Sequence, residues 1–215
     1  PTRRSSDLEI VCLFTRSNWW LIRKIIVTFI GDPIEYIFEP KESIIDQKEL
    51  GKDVSSFSDA MKYALRQRPD VILFWEIRDL ESIRNAILLS ETWHLVLTTV
   101  HARSAEQALN KIIWSFPSEE QSHIRTQLSE NMAAIVVQKL LKRIDKPGLV
   151  LWQEILINTT AVTNIIRENK LNQLKSVMYT NRVSGWMQLM EESLLALFAT
   201  KKISLEQALE AANDL

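Results

Sequence analysis

Asp70–Asp79 reads DVILFWEIRD and His94–Ala105 reads HLVLTTVHARSA, and these two stretches decide the fold. Each opens on a continuous apolar run, Val71–Phe74 and Leu95–Val100. Such runs suit strands buried on both faces of a parallel sheet. Between them Asp79 stands at a helix N-cap position, and Leu80, Ile83, Ile87 and Leu88 follow at helical spacing. Strand, helix and strand in this order predict a βαβ unit.

The same alternation continues outward. Ile25–Ile30 is a β-branched run ending at the turn signal Gly31-Asp32-Pro33. Ile34–Phe38 and Ile44–Ile45 read as a small hairpin. Ser55 or Ser56 caps a helix carrying Phe57, Met61, Ala64 and Leu65, which must stop before Pro69. Ser104…Gln107, Ser118…Gln121 and Ser204…Gln207 have capping-box spacing and mark three helix starts. Leu149–Ile157 reads as a last strand, with helices after it. The whole predicts a three-layer α/β sheet.

Composition narrows the function classes. Lys+Arg 26 against Asp+Glu 27 leaves a net charge of -1, with no basic footprint for nucleic acid. A single cysteine, Cys12, excludes an internal disulfide framework and a multi-cysteine zinc site. No apolar run reaches the ~18 residues of a membrane span.

In open α/β sheets ligands bind at the C-terminal strand ends. Trp75-Glu76-Ile77-Arg78-Asp79 follows the first buried run, and an acid there can hold Mg²⁺ or a metal-bound water. Alone, Glu76 reads first as a solvated strand-end acid, and His94 and His101 as structural histidines. Taken together with Asp32-Pro33-Ile34-Glu35, the segments resemble the Walker B, His box and Asp box of the type II/IV secretion ATPase superfamily. The resemblance runs from about Ile25 to Asn213. Ala161–Glu168 (AVTNIIRE) is similar to the signature helix of its type IV pilus retraction branch (PilT type, twitching motility).

That resemblance implies a RecA-like three-layer P-loop NTPase core, here incomplete, with a C-terminal helical subdomain. The expected division is 9–158 for the core and 159–215 for the helices. It also implies ATP and Mg²⁺ as cofactors and a homo-hexamer at an inner-membrane pilus platform protein. The expected location is cytoplasmic and peripheral to the inner membrane. Glu76 corresponds to the Walker B glutamate, His94 and His101 to the nucleotide-sensing His box, and Asp32 and Glu35 to the Asp box. Lys48 and Lys52 stand where arginines reach across the ring, and Arg78 joins the nucleotide-binding set. Gly31 replaces the leading acid of the Asp box, and lysine lacks arginine's bidentate fork. Both departures put catalysis in doubt. The alternatives are a type II secretion or pilus-assembly ATPase, or a non-hydrolysing subunit of such a ring.

No G-x-x-x-x-G-K-[ST] loop occurs in the 215 residues, and no other motif replaces its phosphate cradle. Family spacing would end that loop near residue 7. Pro1–Leu8 matches a one-frame translation of a common sequencing adapter, so 1–8 reads as adapter-derived and the loop as lost by truncation, leaving the chain inactive by itself. Glycine is scarce, 4 in 215, where average usage gives about 15. Tryptophan is abundant at 7. Trp75, Trp93 and Trp186 stand at glycine positions of the family, which suggests a UGA codon read as glycine in the source. Trp19, Trp20 and Trp152 are expected further cases, and Trp114 is the expected ordinary core tryptophan.

Overall fold

The computed structural model describes residues 9–14, 25–34, 36–75, 77, 79–92, 94–181 and 187–213. The elements in chain order are β1 (Glu9–Phe14), β2 (Ile26–Gly31), β3 (Ile44–Glu49), α1 (Phe57–Gln67), β4 (Val71–Phe74), α2 (Leu80–Glu91) and β5 (Leu95–Val100). There follow α3 (Ala105–Trp114), α4 (Ser118–Asn131), β6 (Met132–Lys142), β7 (Leu149–Ile157) and α5 (Thr160–Arg167). A 3-10 turn at Leu171–Gln173 then leads to α6 (Leu174–Asn181), α7 (Met190–Ala199) and α8 (Leu205–Asn213). Two compact units result, one of residues 11–100 and 112–133, the other chiefly of 101–111 and the residues from 134 onward.

In the first unit the strand order is β3-β2-β4-β5-β1. The pairs β2–β3, β2–β4 and β4–β5 are parallel. Ile30, Ile72, Phe74, Val96 and Val100 are buried between the sheet and its helices. β4 and β5 alternate buried with half-buried residues, so their apolar runs are not equally enclosed on both faces. Ser56 caps α1 by accepting the Asp59 N–H at 3.1 Å, and Asp79 caps α2 by accepting from Ser82 at 2.8 Å. α1 ends on Arg68 in the left-handed region at φ 50°, directly before Pro69.

Asp70 ties the N-terminal edge of this sheet. Its carboxylate accepts the Ile26 N–H at 2.8 Å. Its own N–H donates to Ile26 O at 2.8 Å, and its carbonyl accepts from Leu95 at 3.1 Å. One residue thus starts β2, β4 and β5 at a common level.

In the second unit β6 and β7 form an antiparallel pair from Ala134↔Ile157 to Lys142↔Leu149. α7 packs on β7 through Trp152, which is 1% exposed and donates its indole N–H to Met190 O at 2.7 Å. The Lys139 ammonium lies 4.8 Å from the centre of that ring. α5 buries Val162, Ile165 and Ile166, the spacing expected of AVTNIIRE, and leaves Arg167 and Glu168 exposed. No described helix is long and apolar enough to cross a membrane.

Several expectations are corrected. Ile44–Glu49 is a parallel partner of β2, and among the described residues Ile44–Ile45 does not pair back on Ile34–Phe38 as a hairpin. Residues 36–40 are irregular, held where the Gln47 side chain bonds Phe38 N and Tyr36 O, each at 2.8 Å. Ser118 is the first helical residue of α4 and makes no capping bond, because Pro117 takes the N-cap position. β6 went unread: its Met, Ala, Leu, Lys and Gln are helix formers by propensity, overridden by pairing with β7. β1 was unread as well. Trp114, expected in the core, is 69% exposed. Trp152 is 1% exposed, with its indole N–H bonded to Met190 O.

Candidate functional site

Parallel pairing brings strand ends together. Ile30 lies opposite both Lys48 and Phe74, and Phe74 lies opposite Thr98. The C-terminal ends of β2, β3, β4 and β5 therefore share one edge. The residues that continue β2, β3 and β4 there are Asp32-Pro33, Gly51-Lys52 and Trp75. The segment after β4 is pinned on both sides, with Trp75 N donating to Ile30 O at 2.9 Å and Ile77 N to Thr99 O at 3.2 Å. Glu76 and Arg78 adjoin these anchored positions in sequence. Both lie outside the described residues, as do Glu35, Trp93 and Trp186.

Asp32 and Lys52 are exposed at this edge. Lys48 is committed elsewhere. Its ammonium pairs with Asp46 at 2.8 Å and reaches Gln67 Oε1 at 3.4 Å. Burial pushes the Asp46 carboxyl up, but the bonds from Lys48 and Gln67 outweigh it and leave the carboxyl below its ordinary value. Lys48 is thus a strand-to-helix tie at the end of α1.

His94 is not brought to the edge. It precedes Leu95 at the start of β5, the end of the strand opposite the shared edge. Its Nδ1 lies 3.0 Å from Thr92 Oγ1 and 3.3 Å from Leu89 O, which closes the C-terminal end of α2. The His101 side chain is exposed, and its carbonyl accepts from Lys111 Nζ at 3.3 Å.

Gly31 is buried, and a Cβ there would stand 2.7 Å from Phe29 Cε1 and 3.2 Å from Pro33 O. An acidic side chain at this position would have to displace the Phe29 ring. Trp75 is half-buried with its ring 6.1 Å from that of Phe29. It is not among the described non-glycine residues with positive φ, namely Arg68, Asn169 and Lys201, so its backbone does not demand glycine.

The edge exposes one carboxylate, on Asp32, and one ammonium, on Lys52. Among the described residues no cluster of three His, Cys, Asp or Glu side chains could hold a metal. Sequence reading passed over Glu154, a buried carboxylate on β7 bonded to Ala105 N at 2.8 Å. A lone acid inside the apolar LVLWQEILI was the available signal.

Residues 11–211 match the family described as type II/IV secretion system protein. The chain is 43% identical over 185 residues to a twitching motility protein of Neisseria gonorrhoeae, covering 86% of this chain and 49% of the relative. It is 42% identical over 183 residues to the type IV pilus retraction ATPase PilT of Pseudomonas aeruginosa, covering 85% and 53%. A crystal structure of the pilus retraction motor PilT with bound ADP superposes with a TM-score of 0.79 at 42% identity, covering 87% of this chain and 52% of that one. The α/β sheet is accordingly that of a RecA-like core, and the chain spans about half the length of the curated relatives it matches. With its matched span running from before β2 into α8, this chain belongs to the type II/IV secretion system protein family.

Proposed function

We propose that this chain is the nucleotide-facing portion of an ATP-hydrolysing, hexameric motor subunit that retracts type IV pili. The observation that carries the reading is the shared edge, where the ends of β2, β3 and β4 set Asp32, Lys52 and Trp75 together. The similarity to retraction ATPases supports it. In this reading residues 9–158 are the core and 159–215 the helical part. The subunit works in the cytoplasm against an inner-membrane pilus platform protein, without binding nucleic acid.

Mg²⁺ and ATP fit the edge by charge. Glu76 would hold the metal and orient its water, with Glu35 as the second carboxylate, and Asp32, Lys52 and Arg78 would complement the phosphates. Bound Mg²⁺ neutralises charge developing on the transferred phosphoryl group. His101 is the nucleotide-facing member of the His box, and His94 acts from the far end of β5. Lys48 remains a candidate only if its pair with Asp46 opens.

The test is calorimetry with ATP–Mg²⁺ on this chain and on a chimera carrying the preceding half of the Pseudomonas relative, phosphate loop included. The chain alone should show no micromolar binding, while the chimera should bind and hydrolyse. Glu76→Gln in the chimera should keep binding and abolish turnover. Normal turnover by that variant would sink the motor reading. One observation favours the non-hydrolysing alternative: Gly31 lacks the acid of the Asp box, and Phe29 occupies its space. A chimera that binds ATP without hydrolysing it would decide for that alternative.

A further inference from the structure

We propose that Glu154 is a positioning residue for His101, acting through α3. Glu154 is 9% exposed, and its Oε1 accepts the N–H of Ala105, the first residue of α3, at 2.8 Å. First-turn N–H groups have no partner within the helix, and a carboxylate there also meets the positive end of the helix dipole. The short link from His101 to α3 is closed by two more bonds. Gln107 N donates to Ser104 Oγ at 3.2 Å, and Arg103 N donates to Gln107 Oε1 at 3.1 Å. Further along the same helix Lys111 reaches back to His101 O at 3.3 Å. His101 is therefore referenced to α3 at both ends of the link, and α3 is referenced to β7 by Glu154.

The charged groups around this carboxylate come from three helices: Glu106 of α3, Lys175 of α6 and Glu191 of α7, with Arg103 beside them on the wall of a cavity of about 270 Å³. Burial pushes the Glu154 carboxyl up, the Ala105 N–H pulls it down, Glu191 and Glu106 add to the rise and Lys175 opposes it. A buried carboxylate is unfavourable unless its hydrogen bond repays the loss of water. Its presence is explained by the N-terminus it fixes.

The use made of this positioning rests on His101 facing nucleotide, but its test needs no nucleotide, so the two readings fail separately. The experiment follows the imidazole Cε1–H resonances of the full 215-residue chain by NMR. There are 3 histidines, so each resonance is assigned by single His→Gln substitution. Glu154→Leu should shift the His101 resonance and speed Ala105 amide exchange at least tenfold, leaving His94 and His123 in place. Glu154→Gln, which keeps a carbonyl acceptor, should restore both readouts. Faster Ala105 exchange with an unmoved His101 resonance would overturn the proposal and leave Glu154 a helix cap only. If Glu154→Leu does not fold, Glu154→Asp serves. Its acceptor is withdrawn by one methylene, so the His101 signal should move partway, and an unmoved signal again overturns the proposal.

Discussion

Replacing Trp152 by glycine separates the packed-core account of this residue from the misread-codon account. The indole is 1% exposed, and full burial of a tryptophan removes about 250 Å² from water. At ~25 cal/mol per Å² that is roughly 6 kcal/mol, reduced to about 4–5 kcal/mol for a realistic unfolded chain. The Met190 carbonyl loses its 2.7 Å partner, about 1 kcal/mol. A strand glycine costs about 0.5–1 kcal/mol more. Loss of the Lys139 ammonium's contact with the ring has the same sign. The total, about 5–7 kcal/mol, is comparable to the whole stability of many domains, ~5–15 kcal/mol. Thermal unfolding followed by circular dichroism should find Trp152→Gly largely unfolded or, if folded, melting about 10–25 °C lower. An unchanged or raised midpoint would refute the packing argument and restore the glycine reading of this codon.

Trp75→Gly should lower stability by about 1 kcal/mol in the same assay, through loss of the Phe29 contact. Arg68→Gly should raise it by about 0.5–1 kcal/mol, because φ 50° strains any residue with a Cβ. Glu154 holds its proton in the folded chain at pH values where the unfolded chain has released it, so its burial weakens the fold at neutral pH and ceases to do so as pH falls below its ordinary 4.5. Glu154→Gln should therefore be more stable than the parent at pH 7, with the difference shrinking toward pH 4.5 in paired melts. In the chimera, Lys52→Ala should weaken ATP binding with the melting temperature unchanged. Lys48→Ala should do the reverse, since its partners are Asp46 and Gln67.

The fold was legible where local signals agreed. Val71–Phe74, Asp79 and Leu95–Val100 combine apolar runs with a cap, and β4, α2 and β5 follow them closely. It was illegible where pairing decides. Met132–Lys142 has helix-forming residues and becomes a strand only against β7. Ile44–Ile45 cannot reveal that its partner is β2. For the site, the motifs marked which strand ends matter, and the run Leu95–Val100 already put His94 and His101 at opposite ends of β5, but spacing alone could not tell that Phe29 fills the space beside Gly31. Nor could it tell that Lys48 is already paired. Glu154 escaped because a single acid in an apolar strand has no periodicity to betray its partner, 49 residues away.

Asp70 concentrates the ties at one end of the first unit's sheet on a single residue. Three strands are stapled at one end by a single residue, through bonds of 2.8, 2.8 and 3.1 Å. At the other end the same three strands are tied by different residues, Trp75 N to Ile30 O at 2.9 Å and Ile77 N to Thr99 O at 3.2 Å, with backbone alone making the bonds. Removing the Asp70 carboxylate would leave the Ile26 N–H without its 2.8 Å acceptor, whereas the ties at the opposite end survive any side-chain truncation. One end of the sheet is thus open to tuning by a single side chain, and the other is not.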